Sequence, residues 1–328
     1  MSSTDLLLDT ASADPGLPPD TTGQEITARS PLQLFWRRFR EDRVAVAAGI
    51  FIVILILLAV FAGPIRSLAG APDPNAQDET SLDIFGTATG PNSQHFFGVD
   101  QLGRDVFARV LEGARVSLLV AFVATGIAIV VGVTLGMTAA YFRGWIDTGI
   151  SRLIDVLLAF PILLLALGIA SACSGVDGCF GGLVQPGTSL VVFVIAFVNW
   201  TYIARIIRGQ TLSLREKEFV EAARSLGASD RRIIFREILP NLVAPIIVYT
   251  TLLIPTNILF EASLSFLGVG VQPPQASWGK MIAEATPIFD SAPWFMLAPG
   301  IALVITVLAF NLVGDGLQDA LNPKTGRS

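Results

Sequence analysis

Apolar residues in this chain gather in six runs, from Val44 to Ala62, Val116 to Tyr141, Leu153 to Ala172, Ser189 to Ile207, Leu242 to Leu264 and Trp294 to Val313. Each is close to the about 20 residues an α-helix needs to cross about 30 Å of hydrocarbon. Segments that are apolar on every face predict buried or membrane-spanning helices rather than surface helices of a soluble domain. The expected fold class is therefore an all-α polytopic membrane protein with six transmembrane helices.

Between the fourth and fifth runs the pattern changes, from Ser213 to Pro240, into SLREKEFVEAARSLGASDRRIIFREILP. Ser213 and Glu216 have the spacing of a capping box, which predicts a helix start. Phe219, Ala222, Ala223 and Leu226 recur at i, i+3, i+4 and i+7, on one helical face. Glu218, Glu221 and Arg224 fall on other faces. Gly227 sits where a left-handed C-terminal residue is wanted, and Ser229 or Asp230 can begin a second helix expected to run to Leu239 and stop at Pro240. A solvated loop helix and a helix that docks on another surface both fit this pattern.

Composition agrees with a membrane setting: 52% hydrophobic, 15% charged, and a mean hydropathy of +0.63. Basic residues then assign the sides. Arg37, Arg38, Arg40 and Arg43 precede the first run, Arg143 and Arg152 flank the turn between the second and third, and Arg205, Arg208, Arg215, Lys217, Arg224, Arg231, Arg232 and Arg236 crowd the fourth connection. The opposite loops hold Arg66, Arg104, Arg109, Arg115 and Lys280. By the positive-inside rule both termini and the loop from 213 to 240 are expected to be cytoplasmic. The net charge of −5 says little, because acids and bases are sorted by side.

The expected organisation follows. Residues 1–29 are polar and lack the apolar core of a signal peptide, so a disordered cytoplasmic tail is expected there. Residues 30–63 combine an interfacial helix, opened by Ser30, Pro31 and Gln33 and carrying Leu34, Phe35, Trp36 and Phe39 among arginines, with the first span. Flanking charge that only sets topology is the alternative for those arginines. Residues 64–111 form an extracytoplasmic loop with Asp73, Asp78, Asp83, Asp100 and Asp105, acids suited to receiving a soluble partner or simply to solvation. Residues 112–323 make a core of five spans around the charged loop 213–240.

Catalytic chemistry finds no foothold. There is no GxxxxGK[ST] phosphate loop, and no serine, cysteine or histidine stands in a nucleophile and base arrangement. His95 has only Asp100 and Asp105 nearby, so no metal site is expected. Cys173 and Cys179 lie on the extracytoplasmic side with Gly175 and Gly178 between them, where a disulfide is expected and two free thiols are the alternative. Within the spans, Pro161 and Pro255 favour kinks, Asn199, Glu261 and Phe266 are candidate pathway or gate residues, Asp155 is expected to pair with Arg152, and Gly132 with Gly136 forms a close-packing pair.

Glu221, Ala222, Ala223, Gly227, Leu239 and Pro240 resemble the EAA loop of permease subunits of bacterial binding-protein-dependent ABC importers. FGVDQLGRDVFARVLEGARVSL (97–118), FEASLSFLGVGVQPPQASWGKM (260–281) and NLVGDGLQDALNP (311–323) are similar to segments of the dipeptide, oligopeptide and nickel permeases, of the C type in peptide importers. The resemblance implies the type I ABC importer permease fold in the bacterial inner membrane. It implies import of di- or oligopeptides, with nickel or another small solute as the alternative cargo, and an ATPase-coupling role for Glu218, Glu221, Ala222, Ala223, Arg224, Gly227, Leu239 and Pro240. It also implies a second homologous permease, cytoplasmic ATPase subunits that carry ATP and Mg, an extracytoplasmic substrate-binding protein and surrounding lipid as partners, with no cofactor on this chain and no nucleic acid. An ion-coupled secondary transporter is the alternative of a different class; it would show midplane ionisable residues and inverted repeats.

Overall fold

The computed structural model describes residues 31–175 and 178–321. The expectations for residues 1–29, for Ser30 and for the last residues of the 112–323 core lie outside them.

Helix α1 (Pro31–Glu41) turns at Asp42, whose carboxylate accepts from the Val44 and Ala45 amides at 3.0 Å and so starts α2 (Arg43–Val60). A short α3 (Ala62–Leu68) and a largely irregular segment, residues 69–104, lead to Asp105, which caps α4 (Val106–Phe142) through the Ala108 amide at 2.7 Å. At 37 residues, α4 is about 55 Å long, well beyond the hydrocarbon thickness. It begins ten residues before the apolar run, because the stretch from Val106 to Arg115 continues the same helix.

The third apolar run, expected as one span, is broken. Helices α5 (Gly144–Ala159) and α6 (Ile162–Ala172) meet at 91° across Phe160 and Pro161. Proline offers no amide hydrogen and pushes the residue before it out of the helical region; Phe160 is extended, with ψ 143°. Helix α7 (Thr188–Arg215) follows, then α8 (Glu218–Ser225). Next, α9 (Asp230–Arg232), a π-helical segment (Ile233–Ile238) and α10 (Leu239–Phe266) run as one helix from Asp230 to Phe266. Helices α11 (Trp278–Ala285) and α12 (Pro293–Leu321) complete the fold. Among the described residues five helices are long and apolar enough to cross a membrane, or six when the bent α5/α6 pair counts as one span.

Helices α4 and α7 form the centre. A Cβ on Gly132 would lie 2.8 Å from the Ile203 Cβ, and one on Gly136 2.6 Å from the Ala204 carbonyl oxygen, so these two glycines let the backbones touch. Around the pair, one apolar cluster joins α4, α6 and α7 toward the N-terminal end of α4, a second joins α4, α5, α7, α8 and the start of α10 at the other end, and a third packs α2 and α12 against α4 and α10.

Candidate functional site

The charged loop differs from its sequence reading at both ends. Ser213 is not a cap: it lies inside α7, which continues to Arg215 because Leu214 packs into the apolar cluster below α4. Glu216, the other half of the expected capping box, pairs instead with Arg143 from the end of α4. Helix α8 starts after Lys217 without a side-chain cap, and its ends carry the charges its dipole favours, Glu218 and Glu221 in the first turn and Arg224 in the last.

Its buried face also differs from the expectation. Val220, not part of the expected stripe, is the fully buried anchor, helped by half-buried Ala223. Phe219 (39% exposed), Ala222 and Leu226 (88% exposed) point outward together with Glu221 and Arg224. The helix closes in a Schellman motif: Gly227 has φ +77°, its amide bonds the Arg224 carbonyl, and the Ala228 amide bonds the Ala223 carbonyl, both at 3.0 Å. The result is a short helix fixed on one side and bare on the other.

The second half of the loop does not end at Pro240. A proline ring excludes the normal helical bond to the carbonyl four residues back, and the turn before it widens to π geometry, with the Leu239 amide bonding the Ile234 carbonyl. The widened turn lets the helix pass through Pro240 to Phe266. Ile233 and Ile238 hold this segment in the core, Leu239 is half-buried and Pro240 exposed. At its start, Asp230 accepts a 2.6 Å hydrogen bond from the Tyr141 hydroxyl, and the Arg215 guanidinium stacks 5.8 Å from the Tyr141 ring centre.

Within the spans, the Asn199 side-chain amide donates to Asn257 at 2.7 Å, and Asn257 donates to the Thr125 hydroxyl at 2.8 Å. All three are buried, and they tie α7, α10 and α4 together at one level. Sequence reading found Asn199 and missed Asn257 and Thr125; an asparagine two residues after Pro255 in an apolar run was the available signal. Glu261 is fully buried and accepts from Ser117 at 2.8 Å and from Ser265 at 2.7 Å. Ser265 also receives the Val271 amide at 3.0 Å, so the turn after α10 is pinned to the same carboxylate. Pro255 is buried inside α10, and Pro161 stands at the α5/α6 break. Phe266 borders an open apolar groove of about 440 Å³ with Leu163, Leu259, Ala262 and Leu303. Asp155 pairs with Arg205 on α7 at 2.7 Å and not with Arg152, because the bend at Pro161 lays α5 against α7. Asp147 takes both bonds from Arg208 beside it, at 2.5 and 2.7 Å.

The segment 69–104 is built, not merely solvated. Asp100 and Asp105, expected as exposed acids, are buried: Asp100 bonds Arg104 at 2.6 Å, and Arg104 and Arg109 converge on Glu284 of α11 at 2.9 and 3.3 Å. His95 is buried too, between Asp105 (2.7 Å) and Ser81 (3.0 Å). No group of three metal-ligating side chains occurs among the described residues. Cys173 and Cys179 are joined in a disulfide next to α6.

Two family profiles match the sequence. Residues 132–327 match the binding-protein-dependent transport system inner membrane component, and residues 30–84 match the N-terminal transmembrane domain of oligopeptide transport permease C. The chain is 40% identical over 311 residues, 95% of each protein, to a dipeptide transport system permease protein of Alkalihalophilus pseudofirmus. It is 44% identical over 296 residues to a glutathione transport system permease protein of Escherichia coli, covering 90% of this chain and 91% of that one. A chain of the MetNI methionine ABC transporter, in inward-facing conformations, superposes with a TM-score of 0.53 at 19% identity, over 65% of this chain and 96% of that one, which speaks to the fold. The largely helical architecture and these matches over most of the chain give one conclusion: the chain belongs to the binding-protein-dependent transport system inner membrane components, as a multi-pass inner-membrane permease subunit of an ABC importer.

Proposed function

We propose that this permease subunit carries di- or oligopeptides across the membrane, together with a second homologous permease, and is driven by cytoplasmic ATPase subunits that grip α8. The observation that carries the coupling part is the bare stripe Phe219, Ala222 and Leu226 on a helix whose other side is fixed by Val220 and whose end is set by Gly227. An amphipathic helix seated in a partner's groove is a recurrent mode of recognition. Ala222 permits close approach, Glu221 and Arg224 fix the register, and Phe219 and Leu226 supply apolar area that this chain leaves exposed.

ATP shifts the transporter between inward-open and outward-open states only when the two states make different contacts with the ATPase. Movement of α8 reaches the membrane along two routes. One is the Tyr141 to Asp230 hydrogen bond into α4; the other is the continuous helix Asp230–Phe266, whose far end holds Glu261. On this reading the loop and both termini face the cytoplasm, where the ATPase meets ATP and Mg, and the segment 69–104 lies on the outer side and receives the substrate-binding protein. Asn199, Pro161, Pro255, Glu261 and Phe266 serve as the hinge and gate elements: the α5/α6 break and Pro255 bend, while Glu261 with its serines latches the outer turn.

The relatives named for dipeptide and glutathione transport support a cargo of short amide-linked amino acids. Uptake of a labelled dipeptide into proteoliposomes holding the whole transporter tests the proposal. Uptake should require ATP, stop with vanadate and survive a protonophore; uptake that follows an ion gradient without ATP would contradict it.

A further inference from the structure

The outer segment ends in an apolar tip that the fold leaves in water. Ile84 is 93% exposed and Phe85 81% exposed, although neither lies in a span. The tip is held rigidly. The Asp83 carboxylate accepts from the Phe85 and Thr87 amides at 2.8 Å, the Gly86 amide bonds the Asp83 carbonyl at 2.9 Å, and Gly86 takes φ +71°. Below it, the Thr89 hydroxyl bonds the Ser81 carbonyl at 2.6 Å, and Ser81 bonds His95, which bonds Asp105, the cap of α4. A pair of large apolar side chains presented on a fixed turn, and tied to the start of the central helix, has the form of a contact element.

Charge selects what covers it. Asp78, Glu79 and Asp83 are exposed on the same segment, and residues 67–103 contain no lysine or arginine. The Thr87 amide first, with further bonds from Thr87 and Phe85, holds the Asp83 carboxyl below its ordinary range, so the tip stays anionic. An acidic rim is repelled by anionic lipid headgroups and attracted to basic ones. We infer that Ile84 and Phe85 insert into an apolar cleft, rimmed by lysine or arginine, on the soluble binding protein that delivers cargo. The inference rests on the importer reading above and adds to it the contact residues and the chemistry of the partner's surface. Docking there reports to α4 through Ser81, His95 and Asp105.

The test places p-benzoylphenylalanine at position 85 of the whole transporter in intact cells, followed by irradiation and mass spectrometry of the adduct. The expected product is a crosslink into an apolar cleft of the soluble extracytoplasmic protein that uptake requires. An adduct confined to lipid or to the second permease, or no adduct, overturns the inference. The double variant Ile84→Ser, Phe85→Ser should weaken binding of that soluble protein to the purified transporter by about tenfold or more, with basal ATP hydrolysis unchanged. Ile84→Leu with Phe85→Leu should retain most of the affinity. Unchanged affinity in the serine variant overturns the tip alone, whereas wild-type uptake that needs no soluble protein overturns the importer reading beneath it.

Discussion

The Tyr141 hydroxyl donates to the Asp230 carboxylate across 2.6 Å, which joins the last turn of α4 to the first residue of the helix that runs to Phe266. Because Gly132 and Gly136 bring α4 close against α7, this bond ties the charged loop to that closely packed pair. Tyr141→Phe removes the donor and keeps the ring. The expected cost in stability is about 1 kcal/mol, that of an ordinary hydrogen bond rather than the larger value for a buried charged acceptor, because Asp230 is exposed. The expected effect on coupling is larger: uptake per ATP hydrolysed should fall several-fold, measured by paired uptake and phosphate release, while membrane insertion is retained.

Gly227 supplies a left-handed turn in open space, with nothing within 4 Å of an added Cβ. Gly227→Ala should therefore cost only about 1 kcal/mol of backbone strain and leave partial coupling. Gly227→Pro fixes φ near −65° and deletes the amide that bonds Arg224, so the Schellman turn is lost. ATP hydrolysis should then continue with little uptake, and Glu221→Lys should behave likewise. An uptake assay that ranks alanine below proline contradicts this account of the turn.

The α4/α7 contact predicts a failure of another kind. Gly136→Leu drives a side chain into the Ala204 carbonyl and should cost about 1–3 kcal/mol or more through overpacking. The purified variant should lose its melting transition at a temperature where the wild type is folded. Gly126, which has open space around it, should accept alanine with no such change.

Acid provides a local test of the outer tip. The Asp83 carboxyl is held below its ordinary range by the Thr87 and Phe85 amides. A carboxyl depressed on folding contributes order that is present above its unfolded pKa and is lost as pH falls through the folded value. Amide exchange at Phe85 and Thr87, corrected for the intrinsic rate, should be protected at neutral pH and lose protection in acid. Asp83→Asn, which has no carboxyl to titrate, should abolish that acid-dependent loss and reduce protection at neutral pH.

Much of this fold was legible because apolar length is a strong signal: five of the six expected runs overlap one long helix each, and the third is divided between α5 and α6 at Pro161. What escaped was decided by geometry that pattern does not encode. Ser213 and Glu216 have the spacing of a capping box, yet Leu214 had an apolar seat that kept α7 helical and Arg143 was near enough to claim Glu216. Pro240 looked like a terminator, and a π turn absorbed it. The stripe Phe219, Ala222, Ala223 and Leu226 was found by periodicity, but periodicity does not say which face turns inward: Val220 is the buried anchor, Ala223 is half-buried beside it, and the other three are exposed. Asp100 and Asp105 were grouped with the exposed acids because their partners Arg104 and His95 are identifiable only once the loop closes on itself. Asn257 was passed over in an apolar run, and its role appears only with Asn199 and Thr125 around it.

The central claim is that the exposed side of α8 transmits ATP hydrolysis to the membrane helices. The most direct measurement is ATP hydrolysis and dipeptide uptake, recorded side by side in proteoliposomes, for the double variant Phe219→Ser, Leu226→Ser. Both side chains are exposed, so the permease should fold and insert normally. The account predicts uptake reduced by about tenfold or more, with hydrolysis either detached from uptake or lost along with ATPase binding. Uptake at the wild-type rate per ATP would contradict it.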